Sequence, residues 1–175
     1  LEKWVWLAEK RKMATAHSIQ APREFVSGEE HFWRGQSYRL KVDIVKNTPF
    51  SVQVDGDYIH LYVHEGTTAQ RKSELLDEWY RADLRLVAAP LIAKWESLLN
   101  VKVAEWNIVK MPLRWGSCTQ ATQKVVLNLE LAKKPMNCVE YVVAHELVHL
   151  LERLHNERFR QLLFVPLPNW REIRQ

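Results

Sequence analysis

The stretch Tyr141-Val142-Val143-Ala144-His145-Glu146-Leu147-Val148-His149-Leu150-Leu151-Glu152-Arg153-Leu154-His155-Asn156-Glu157-Arg158-Phe159 decides how this chain is read. At about 100° per residue, a helix sets His149 about 40° from His145, so the two imidazoles stack one turn apart. Val139, Val143, Leu147, Leu150 and Leu154 fall on the opposed side of the same wheel. One helix therefore carries an apolar face for a core and a second face with two histidines. Asn137 followed by Glu140 has capping-pair spacing, which predicts a helix start near Cys138. His145-Glu146-Leu147-Val148-His149 is an H-E-x-x-H motif. Imidazoles at i and i+4 can share one zinc ion, and Glu146, about 100° round, reaches beside the metal rather than onto it. A general base taking a proton from a metal-activated water belongs there.

A catalytic zinc commonly has three protein ligands and one open position. His155 is the first candidate for the third ligand. On an unbroken helix it would point about 120° away from His149 and sit ~9 Å further along the axis. It reaches the metal only if the helix ends or bends between Leu150 and Leu154. Related motifs use a glycine for that turn, whereas this chain has Glu152 at the position. Glu152 is the rival ligand on the helical stripe, but it lies a turn beyond His149, so His155 is favoured. Cys138 shares the stripe ~10 Å away and reads as a small apolar filler. His60 and His64 alternate with Tyr58 and Tyr62 and read as a wet sheet face. His17 and His31 fall in an irregular stretch.

Outward from the motif, apolar residues between Gln70 and Asn100 recur at three and four, a long helix opened by Thr67–Thr68. Pro90 predicts a kink or restart inside it. Before it lie three alternating runs: 38–44, 50–54 and 58–63. Asp55-Gly56 between the last two marks a tight hairpin. They predict an antiparallel meander with one buried face. A second β region spans Trp106–Met111 and Val125–Leu129, joined through Arg114-Trp115-Gly116-Ser117-Cys118. Residues 1–16 read as a helix. Trp79, Trp95 and Trp106 sit at core-type positions.

The 175 residues are expected to form a single domain, 1–175, with 47% hydrophobic and 26% charged residues arguing against wholesale disorder. Two cysteines cannot build a disulfide scaffold. With no apolar run near the ~20 residues of a membrane span and no leader pattern, the expected address is the cytoplasm, without a membrane partner. A net charge of +4 permits a nucleic-acid partner but argues for one only weakly.

Arg114–Cys118, Val126-Leu127-Asn128, Tyr141–Phe159 and Pro168-Asn169-Trp170 together resemble the YgjP-like metallopeptidase family, with looser similarity over Trp79–Leu91. The resemblance implies a zincin-like α+β fold, a twisted, mainly antiparallel sheet packed on helices with the H-E-x-x-H helix below a cleft. It implies His145, His149 and His155 as ligands of one zinc ion and Glu146 as catalytic acid and base. Strands normally precede the first helix of that family, so the chain is expected to start inside the domain. It departs from the family pattern at Leu154, Asn156 and Arg160.

In Arg114–Cys118, Trp115 reads as core, Gly116 as a turn or bulge, and Ser117 and Cys118 as small packing residues. The functional reading has this segment line the cleft, since zincins pair an extended peptide with a sheet edge. Arg114 would then hold a developing oxyanion or a substrate carboxylate. The expected activity is hydrolysis of amide bonds in a peptide or protein. Two alternatives remain. One is a metal-dependent hydrolase of a phosphoanhydride or nucleotide-like substrate, motivated by Arg114, Arg153 and Arg158. The other is a DNA-associated, SprT-like protease module.

Overall fold

The computed structural model describes residues 23–164. The expected helix over residues 1–16, His17 and Pro168–Trp170 lie outside them. The chain forms β1 (Glu30–Trp33), β2 (Gln36–Ile44), β3 (Ser51–Asp55), β4 (Tyr58–Val63), α1 (Ala69–Leu99), β5 (Glu105–Val109), β6 (Gly116–Thr119), β7 (Lys124–Asn128), α2 (Met136–Val148) and α3 (Glu157–Phe164). The fold is α+β.

The strands make two sheets. The first has the order β1-β2-β4-β3, the second β5-β7-β6. The Asp55-Gly56 hairpin forms, pairing β3 antiparallel to β4. The meander does not continue from it, because β4 inserts between β2 and β3 and runs parallel to β2. Hydrophobic burial explains the order. Ile59, Leu61 and Val63 of β4 are completely buried, whereas β3 carries Ser51, Gln53 and Asp55 on its outer face and suits an edge. The stretch around His31, read as irregular, is β1, and His31 is buried.

Helix α1 has 31 residues and at 1.5 Å per residue reaches about 46 Å. Thr68 caps its start by accepting from the Arg71 amide at 3.2 Å. Asn100, left-handed at φ 52°, ends it. Pro90 lies inside without a restart. The helix holds both halves of the molecule. Tyr80 donates to the Phe32 carbonyl in β1 at 2.9 Å, Lys110 just past β5 pairs with Asp77, and Trp95 reaches Glu140 on α2. These contacts, spread along the helix, outweigh the single donor lost at Pro90.

Glu140 corrects the predicted capping pair. Helix α2 starts at Met136 after Pro135, and Glu140 instead accepts from the Lys94 ammonium at 2.6 Å and the Trp95 indole at 3.3 Å. The Trp95 side chain is completely buried, and an unsatisfied indole N–H there costs more than an exposed helix cap contributes.

The start of α2 is fixed by the β1–β2 hairpin. Backbone amides of Arg34 and Gly35 donate to the carbonyls of Ala132 and Lys133. A Cβ on Gly35 (φ +84°) would stand 2.6 Å from the Pro135 ring, so only glycine allows this approach. Among the described residues, no helix is long and apolar enough to cross a membrane.

Candidate functional site

Helix α2 buries Val139, Val143 and Leu147 as its apolar stripe predicts. Leu154 does not join them and is 66% exposed, because the α-helix stops at Val148. There the backbone tightens: the amides of Leu150 and Leu151 donate to the carbonyls of Leu147 and Val148, three residues back, each at 3.0 Å. No residue from 149 to 156 has a positive φ. The turn that related motifs make with glycine is made here by i→i+3 bonding, which needs no left-handed residue.

This turn brings His155 back to the helix. His155 Nε2 lies 3.1 Å from His145 Nε2, and His149 Nε2 lies 3.3 Å from it. Ligand atoms of the three histidines all fall within 4.8 Å of one another. Nitrogens at ~2.1 Å from a tetrahedral zinc stand about 3.4 Å apart, so the donor set matches the size of such a site. His149 Nδ1 lies 3.0 Å from the Glu152 carbonyl oxygen. That oxygen can only accept, so Nδ1 carries the proton and Nε2 keeps its lone pair.

Glu152, the rival ligand, is used elsewhere. Its Oε1 accepts from the Leu154 amide at 3.1 Å. That amide first, then the Asn156 side chain, hold its carboxyl below the usual range. Asn156 also caps α3, accepting from the Phe159 amide at 3.0 Å. Phe159 is buried, and its ring centroid lies 5.0, 4.9 and 4.6 Å from those of His145, His149 and His155. It backs all three imidazoles and narrows their freedom to rotate.

Glu146 is buried, with 7% of its surface exposed, and packs against Gly116 at the start of β6. A Cβ built on Gly116 would lie 2.6 Å from Glu146 Cγ and 2.8 Å from its Oε1. Gly116 is therefore neither a turn nor a bulge. It is the point where a strand backbone comes against the acidic side chain. A glycine inside a strand pattern is the signal for such an approach.

Among the described residues, strand β6 pairs only with β7, on one side. Together with Glu146 and the three histidines it lines a cleft of about 670 Å³. Gln120, just past β6, donates to the Leu150 carbonyl at 2.9 Å. Gly116 lies against Glu146 and Gln120 against Leu150, so β6 and α2 run alongside each other in the same direction.

Arg114 and Arg153 both line the cleft. Arg114 is placed by Asn128, a buried residue whose amide donates to the carbonyls of Met111 at 2.8 Å and Arg114 at 2.7 Å. Asn128 Oδ1 accepts from the Met111 and Glu130 amides. Of the remaining candidates, Cys118 faces the cleft with its thiol pushed up to about 11, by burial first and the Glu146 charge second. Cys138 is half-buried, with its thiol raised by burial. His60 pairs with Asp43 at 2.8 Å and His64 Nε2 approaches the Thr48 carbonyl at 2.9 Å, both far in sequence from the three-histidine group.

The family model described as YgjP-like, metallopeptidase domain, matches residues 1–175. No curated protein matches the chain.

Proposed function

The chain belongs to the YgjP-like metallopeptidase family, whose activity is that of a metal-dependent peptidase, and from that premise we propose a zinc-dependent peptidase hydrolysing amide bonds. The family model spans residues 1–175, and we read them as part of one such domain. The observation carrying the proposal is the convergence of His145, His149 and His155 beside a buried Glu146, in a cleft with a strand edge left unpaired among the described residues. The three imidazoles hold one zinc ion, and the Glu152 carbonyl keeps His149 in the ligating tautomer. A zinc ion bound there supplies Lewis-acid polarisation of the scissile carbonyl and activation of a water.

Glu146 is the general base. Its carboxylate takes the proton of the attacking water and delivers it to the leaving amine nitrogen. Packing against Gly116 limits where that carboxylate can stand. The edge of β6, unpaired among the described residues, offers backbone groups to an extended peptide. Arg114 at the cleft wall is placed to hold a substrate carboxylate.

The test is Glu146→Gln. Hydrolysis of a peptide library is expected to vanish while zinc content stays at one per chain, because the substitution removes the base and leaves the ligands. Undiminished turnover in a clean preparation of this variant refutes the proposal.

A further inference from the structure

The cleft is asymmetric in charge. Among the described residues Glu146 is its one acidic wall residue, and Arg114 and Arg153 are both on its wall. Neither guanidinium forms an ion pair among the described residues. Glu152, next to Arg153, has its carboxylate turned into the loop towards the Leu154 amide.

Gly116 meets Glu146, and Arg114 lies two residues before it. Arg153 lies in the turn after Val148 that brings His155 back to His145. Each arginine is accompanied by an apolar neighbour in solvent: Leu113 is 80% exposed and Leu154 is 66% exposed.

We propose that the cleft selects acidic peptides, Arg114 and Arg153 each binding a substrate carboxylate. This rests on the peptidase reading above. Guanidinium–carboxylate pairs are charge-assisted, with bidentate geometry open to them, and the exposed leucines favour an apolar residue beside each acid.

The experiment uses zinc-loaded Glu146→Gln, so binding is read without turnover. Fluorescence anisotropy compares peptides carrying two Glu residues, either one alone, and Gln at both positions. The doubly acidic peptide is expected to bind at least tenfold more tightly than the Gln peptide, with the preference shrinking between 50 and 500 mM salt. Arg114→Gln and Arg153→Gln each reduce the preference for acid, and the double substitution removes it. Equal binding of Glu and Gln peptides overturns the inference, as does an acid preference that survives Arg114→Gln/Arg153→Gln. Tight arginine-dependent binding of a nucleoside triphosphate, with none of the acidic peptides, overturns it in favour of a phosphate ligand. Hydrolysis of neutral peptides by the wild-type enzyme, with no acid preference, leaves the peptidase reading standing and removes this one alone.

Discussion

Replacing Gly116 with alanine puts a methyl carbon 2.6 Å from Glu146 Cγ, 2.9 Å from its Cδ and 2.8 Å from its Oε1. Carbon–carbon contacts settle near 3.5–4.0 Å, so the glutamate must retreat by about 1 Å. Little room exists for this, because Glu146 is 7% exposed and rises from a helix turn flanked by fully buried Ala144 and Leu147. A misplacement of about 1 Å in a group acting on the reacting atoms costs about 10²-fold in rate, equivalent to about 2.7 kcal/mol of barrier. The fold should respond less. Overpacking costs about 1–3 kcal/mol, and part is returned because alanine suits a strand interior better than glycine by about 0.5–1 kcal/mol. Gly116→Ala is therefore expected to lower kcat about a hundredfold, keep one zinc per chain, and shift the urea midpoint only slightly. The assay is peptide hydrolysis followed by mass spectrometry, with metal content and urea titration on the same samples. Wild-type kcat in a folded, metal-loaded Gly116→Ala enzyme refutes the claim that this glycine makes room for the base. Lost zinc would refute the separation of base from ligands.

Three further outcomes follow from other parts of the structure. Burial first, then Arg23 and Lys133, hold His31 down to about 4 from 6.5, against the opposing pull of Glu29. The unfolded chain binds this proton first, so stability is complete above pH 6.5 and falls as pH drops towards 4, by about 3 kcal/mol. Urea unfolding of metal-free His31→Gln should lack this slope, and an unchanged slope refutes the assignment. Glu140→Ala leaves the buried Trp95 indole without its acceptor and should cost about 1–3 kcal/mol in urea unfolding; a change below about 0.5 kcal/mol refutes that role. Asn128→Ala removes the bonds holding the Met111 and Arg114 carbonyls, so hydrogen exchange should rise across residues 111–115 while β7 stays protected. Unaltered exchange there rules out Asn128 as their anchor.

What could be read in the chain depended on the distance over which each cause acts. His145 and His149 share a face because of helix periodicity alone, and Thr68, Asn100 and the Asp55-Gly56 turn also act within a few residues. The predicted cap at Glu140 failed because its partners, Lys94 and Trp95, lie on another helix. The position of β4 in its sheet escaped alternation, which marks which face is buried but not which strand is central. Gly116 carried a signal, a glycine inside a strand pattern, but nothing nearby in the chain says whose side chain fills the space.

The sequence by itself determined the chemistry offered: two imidazoles one helical turn apart, a carboxylate beside them and a third histidine within reach of a turn. Local backbone geometry suffices for that. The spacing favoured His155 over Glu152, and the structure brings the His155 imidazole beside the pair by a turn after Val148 that is itself local, with Glu152 engaged by the Leu154 amide. Only the tertiary structure decided that β6 lies against Glu146 and that Arg114 and Arg153 face one cleft. These are contacts between segments some 30 to 40 residues apart, made by packing two sheets and three helices around shared buried surface, and no local pattern encodes them.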